Sequence, residues 1–274
     1  MRTMVVGTFS VMAALGVAAV AADAQTGATQ YGGSWATSRG VGTPTIGLTR
    51  NADGSIAVRF GMAITCRHAR YIDTVVRGRG TSSGASFKAS GRTHLAGTGR
   101  LTMTISGTFA GTGATGRVSA HAKGCKGFHR VPFQLRAAAA PAGAPARPAK
   151  GTEMFGVTSQ SAGGVRLPVV LRVAKNGRVY AQWEALAACT RGRVPLMNVT
   201  PYTRIAADGS FHRTEKFRQK YDDGSHDTVH VTFAGNFVAG GASGTLSARI
   251  QYTDKHHRLY TPCLLATQTW TATP

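Results

Sequence analysis

An internal duplication limits what this chain can fold into. Residues 101–120, LTMTISGTFAGTGATGRVSA, return without a gap as residues 229–248, VHVTFAGNFVAGGASGTLSA; Thr104, Gly107, Phe109, Gly113, Ala114, Gly116, Ser119 and Ala120 recur identically 128 residues on. Upstream, Gly54 and Gly177 each stand twelve residues before a cysteine, Cys66 and Cys189, while Phe60 and Trp183 each stand six before it. Ser86-Phe87 and Ser210-Phe211 then fall in the same order. Landmarks repeated in register mean one structural unit copied in tandem. The copies occupy residues 25–136 and 151–274. Between them residues 137–150, AAAAPAGAPARPAK, form an Ala/Pro linker expected to be extended and semi-rigid. The second copy carries an insertion, roughly Tyr252 to Thr261, before its last cysteine.

Residues 1–24 read as an export signal. Arg2 precedes a long uncharged apolar run, and Ala22-Asp23-Ala24 before Gln25 makes a small-x-small cleavage site. A membrane anchor is the rival, but the Gly, Ala, Ser and Thr content makes the run only weakly hydrophobic. The expected location is secreted or attached to the cell envelope, with no transmembrane segment after cleavage.

Four cysteines allow three pairings. Duplication selects Cys66–Cys125 and Cys189–Cys263, because an ancestral single domain could pair only with itself. Each bridge closes a long loop, worth about 4 kcal/mol in the chain-entropy account, and implies an oxidising compartment. Cys66-Arg67-His68 and His256-His257 offer soft metal ligands. However, no C-x-x-C occurs and the histidines do not recur between copies, so neither metal nor cofactor is expected.

Period-two alternation marks strands at residues 102–109 and 229–237, and again at 56–60 and 179–183. Asn51-Ala52-Asp53-Gly54 and Lys175-Asn176-Gly177 are turns feeding them. Ala185 to Ala188 could form a helical turn, but the counterpart Met62 to Thr65 is β-like, so both are assigned to strand. Six to eight strands per copy give an all-β chain: two tandem small antiparallel β-barrel or β-sandwich domains, each with one disulfide.

The layout resembles a loose group of exported bacterial β-rich repeat proteins, marked by a G-x-F strand, a short turn, a G-x-[LV]-x-A return strand, a late cysteine and an aromatic. Here these are Gly107-Thr108-Phe109, Gly116 to Ala120, Cys125 and Phe133, then Gly235-Asn236-Phe237, Gly244 to Ala248, Cys263 and Trp270. The motif is structural, so the resemblance implies a fold and no activity.

Catalytic patterns are sparse. Gly80-Thr81-Ser82-Ser83-Gly84 matches the G-x-S-x-G nucleophile elbow, but no helix follows and the second copy lacks the serine. Gly111 to Gly116 matches G-x-G-x-x-G, yet the next residues are a return strand rather than a phosphate-facing helix. Paired carboxylates need two acids across one site. The first copy has only Asp53 and Asp73. In the second, Glu184 beside Trp183 is the acid least like a loop residue, which keeps open a hydrolase centred there. Asp222-Asp223-Gly224-Ser225-His226-Asp227 reads as a polar turn and lacks the longer pattern of a calcium loop.

Charge is the remaining signal. The formal net charge is +21, with 15 basic and 2 acidic residues in the first copy against 14 and 8 in the second. Arginine dominates, and its planar fork suits phosphate and carboxylate. The dense spots are Arg67 to Arg70, Arg77-Gly78-Arg79 and Lys123 to Arg130. A Cys66–Cys125 bond would gather Arg67, Arg70, Lys123, Lys126 and Arg130 into one basic patch. Its natural partner is an anionic envelope polymer or another extracellular polyanion. Base-specific nucleic-acid reading is not expected, since no recognised motif is present and aromatics make up 8% of the chain. The alternatives are the hydrolase and a structural or partner-binding role using exposed strand edges.

Overall fold

The computed structural model describes residues 27–35, 42–66, 70–95, 99–190, 192–220 and 224–274. The export signal read at residues 1–24, Arg67-His68, and Asp222-Asp223 of the polar turn lie outside them. Among the described residues sixteen strands follow one another, eight per copy. The first eight are β1 (Thr29–Trp35), β2 (Gly42–Arg50), β3 (Ser55–Cys66), β4 (Arg70–Ser83), β5 (Ser86–Leu95), β6 (Gly99–Ala110), β7 (Gly113–Ala122) and β8 (Phe128–Ala137). The second eight are β9 (Glu153–Ala162), β10 (Val165–Val173), β11 (Arg178–Cys189), β12 (Gly192–Arg204), β13 (Ser210–Lys220), β14 (His226–Val238), β15 (Gly241–Thr253) and β16 (Cys263–Thr273). Among the described residues no helix is long and apolar enough to cross a membrane.

In the first copy β1 to β8 pair in sequence order and β1 pairs with β8, closing an antiparallel barrel. The second copy repeats the order as β12-β11-β10-β9-β16-β15-β14-β13, leaving β12 and β13 unpaired with each other at its two edges. It closes at one end, where Ala188 of β11 pairs with Leu264 of β16. The architecture is therefore barrel rather than sandwich, with an open seam in the second copy. The stretch Ala185 to Ala188 lies on β11, and Gly80 to Ser83 belong to β4 ahead of a two-residue turn at 84–85. Gly111-Thr112 is likewise the turn between β6 and β7, since Ala110 pairs with Gly113. Neither glycine pattern meets a helix.

Inward-facing residues fill each barrel. Trp35, Phe60, Met62, Leu101, Met103 and Val118 belong to the first core; Trp183, Phe233, Phe237, Leu246 and Trp270 belong to the second. Each such fully buried side chain contributes roughly 1.5–3 kcal/mol. The repeated glycines serve this packing. Gly235 and Gly244 face each other across β14 and β15, and a Cβ on either would lie 2.5–2.6 Å from the Trp270 ring. Gly107 and Gly116 are paired likewise and make room for Phe133. The late aromatic of the motif thus needs the two glycines opposite it.

Both expected disulfides are present, Cys66–Cys125 and Cys189–Cys263, spanning 59 and 74 residues. The copies are not separated by a spacer: they pack side to side through β1–β3 against β9–β11. Val169 and Leu171 of β10 point into the second core. Val170 between them is fully buried on the opposite face, as period-two alternation allows only when a second layer covers that face. Gly32 of the first copy meets the backbone of Gly156 there; a Cβ on Gly32 would lie 1.8 Å from the Gly156 carbonyl oxygen. At the edge of the interface Thr49 Oγ1 donates to the Gly164 carbonyl at 2.7 Å, and the Arg166 amide donates to Gln30 Oε1 at 3.0 Å.

At the centre of that interface is a buried ion pair. Arg59 Nε of β3 lies 2.6 Å from Glu184 Oε2 of β11, and Thr45 Oγ1 donates to Glu184 Oε1 at 2.5 Å. Both charged side chains are shielded from solvent, at 2% and 0% exposure. Gly61, the counterpart of Glu184 in the first copy, supplies the space: a Cβ there would lie 2.0 Å from Glu184 Oε1.

The linker runs along the second barrel, with Pro145 bridging to Val238. Ala146 donates its amide to the Phe237 carbonyl, Ala239 to that of Ala144, and Gly240 to that of Ala142. Small side chains and unused backbone groups let it lie along the β14–β15 hairpin instead of spanning a gap.

Candidate polyanion-binding groove

The outer face of β4, β5 and β6 carries a dense basic surface. On β4 Val76 points into the core, which turns Arg77 and Arg79 outward. On β5 Phe87 and Ala89 point inward, so Lys88, Ser90 and Arg92 face out. On β6 Leu101, Met103 and Ile105 are buried, leaving Arg100, Thr102 and Thr104 outside. Register then sets the spacing, with Arg79 opposite Ser90, Ser90 opposite Thr104, and Arg92 opposite Thr102. Gly78 and Gly91 are themselves paired, and a Cβ on either would fall within 2.5 Å of neighbouring backbone oxygen. Only glycine lets the two strands curl this tightly beneath the arginines.

The result is a groove of about 630 Å³ lined by Arg77, Arg79, Arg92 and Arg100 and walled on one side by Ala162-Gly163 of the second copy. Arg79 and Ser90 also line an adjoining groove of about 560 Å³, which adds Lys88, Arg117, His129 and Arg130. No carboxylate lines either one among the described residues. Arg59 reaches the floor of the first, but its charge is already matched by Glu184.

The residues singled out from the sequence are divided by this geometry. Arg130 joins the second groove, where its carbonyl accepts from Arg117 Nη1 at 3.2 Å. Lys123 and Lys126 are exposed on the turn around Cys125 and line neither groove. The Arg70 backbone pairs with Cys66, whereas its side chain and all of Arg67 lie outside the described residues. Arg77-Gly78-Arg79 was visible as a charge cluster. Arg92 and Arg100 were not, because they reach the groove only through the register of separate strands. The usable signal was alternation: Arg100 stands one position from buried Leu101, and Arg92 keeps the outward phase of Lys88 and Ser90.

Among the described residues Glu184 faces no second acid across a cleft. Its carboxylate is enclosed with Arg59 and Thr45, so water and substrate do not reach it, and a hydrolase centred on this residue is not supported by the geometry. Among the described residues no cluster of three or more His, Cys, Asp or Glu side chains is placed to hold a metal ion. In the insertion, Asp254 accepts from the amides of His256 and Arg258, both at 2.9 Å, and from Arg258 Nε at 2.7 Å. Desolvation raises its pKa, but these hydrogen bonds and the Arg258 charge outweigh it and hold the carboxyl down to about 2. This is a loop staple.

No protein-family model matches the chain, and no curated protein does. Among solved structures, a Bacteroides fragilis chain provisionally described as an outer membrane protein aligns over 90% of this chain and 95% of its own. The identity is 11% and the TM-score 0.24, a likeness too slight to carry any conclusion about fold, location or activity.

Proposed function

We propose that the protein is an exported, non-enzymatic binder of an anionic cell-envelope polymer, held in the arginine grooves of the first barrel. The observation that carries this reading is the continuity of the two grooves through Arg79 and Ser90, with basic residues along both and no acid lining either among the described residues. Guanidinium forks bind phosphate and carboxylate bidentately. Each exposed contact is weak, so affinity must come from many contacts along a chain and must fall with salt. Two disulfides suit the oxidising compartments in which such polymers lie. The second barrel then acts as a wall of the site and as its anchor.

The test is binding of the mature chain to teichoic-acid-like, polyuronate and nucleic-acid polymers across a salt series. A variant with Arg77, Arg79, Arg92 and Arg100 all changed to Gln should lose most affinity and flatten the salt slope by about three to four. Lys123→Gln with Lys126→Gln should change both far less. Equal losses from the two variants would show that net charge alone is responsible.

A further inference from the structure

The open seam between β12 and β13 leads into a second cavity of about 610 Å³, within the range of small-molecule sites. Its walls are unlike the grooves above. Leu196, Met197, Phe217, Val229, Ile250 and Tyr252 make it apolar, and the charged residues that line it, Asp73 and Asp227, are both acids. In a chain of net charge +21, a cavity lined by two carboxylates and no Lys or Arg among the described residues is a marked local reversal. Asp73 comes from β4 of the first copy, so docking of the two barrels completes the site. Asp73 is exposed at the mouth, and partial desolvation by its apolar surroundings raises its carboxyl above the ordinary range. Large apolar side chains continue outside: Val194, Leu264, Tyr260 and Leu259 are 45%, 54%, 47% and 72% exposed.

An apolar slot with an uncompensated carboxylate at its mouth complements one kind of molecule. We propose that the seam binds a small amphipathic amine, its apolar body against Leu196, Met197, Phe217 and Ile250 and its ammonium group at Asp73. The same features disfavour fatty acids, whose carboxylate would face Asp73, and the anionic polymer of the arginine grooves.

The test titrates the neutral fluorophore N-phenyl-1-naphthylamine into the full chain and displaces it with decylamine, decanol or decanoate. The expected result is one saturable site from which decylamine displaces the probe about tenfold more effectively than decanoate, the worth of one charge-assisted contact. Asp73→Asn should erase that preference and leave decanol unchanged. Met197→Trp should abolish probe binding by filling the slot; Leu196→Trp serves if the first variant melts early, and a thermal transition matching the parent's confirms that either is folded. Non-saturable uptake, probe binding that survives both tryptophan variants, or decanoate matching decylamine would each overturn the proposal.

Discussion

The two copies keep one interior and differ at one seam. In the first, β4 and β5 pair from Gly78 to Ser83 against Ser86 to Gly91 across a two-residue turn. In the second, β12 ends at Arg204 and β13 begins at Ser210, with Ile205 of the connection buried in the core and Asp208 turning the chain by accepting from the Ser210 amide. A longer connection anchored in the core no longer forces its flanking strands together. The difference teaches that duplication conserves what the core needs, namely the glycine pairs, the late aromatic and the disulfide, while the barrel wall is free to diverge. One copy has turned arginines outward there; the other has opened a largely apolar slot.

The interface carries the same lesson, and experiments can break the comparison there first. Glu184→Ala alone should cost about 3–5 kcal/mol, because it leaves Arg59 buried and unmatched. Arg59→Met combined with Glu184→Leu should recover most of that loss in thermal denaturation. A single variant as stable as the parent would show that the pair is solvated.

Next in size are the disulfides. Removing Cys66–Cys125 or Cys189–Cys263 as a cysteine-to-alanine pair should cost about 4 kcal/mol in either copy, since loop entropy grows only slowly with length. Denaturant midpoints measure this. A much larger loss in the second copy would show that its open seam depends on the bridge. Gly61→Ala should cost about 1–3 kcal/mol by pressing a methyl group onto Glu184. Differential scanning calorimetry should then show the two barrels melting less cooperatively.

The smallest effect concerns acid. The folded Asp254 pKa of about 2 lies below the ordinary 3.8, so its contribution is fully present above about pH 4 and is lost as pH falls toward 2. Amide exchange at residues 256–260 should rise across that window. Asp254→Asn should remove the pH dependence, and the first copy, which has no such insertion, should show none.

Much of this fold was legible because repetition is a strong constraint. Cys66 and Cys189 at equal distances from Gly54 and Gly177 named the disulfides, and alternation named the strands. Barrel closure was not legible, because the β1–β8 and β9–β16 pairings join residues about a hundred apart and leave no local mark. The groove was half visible: Arg77 and Arg79 stood out by adjacency, while Arg92 and Arg100 required register. Glu184 was noticed for the wrong chemistry. Its strand neighbours read the same whether the outer face meets water or another barrel, and Gly61, the residue that accommodates it, looked like one glycine among many.

That glycine has a consequence for how the halves can associate. Two first copies brought face to face would bury two arginines with no carboxylate to match them, and two second copies would bury two carboxylates with no arginine, since Gln182 stands where the first copy has Arg59 and Gly61 where the second has Glu184. Only unlike halves fit. The buried pair therefore works as a heterotypic key, steering each barrel to the partner on its own chain and away from like barrels on neighbouring molecules.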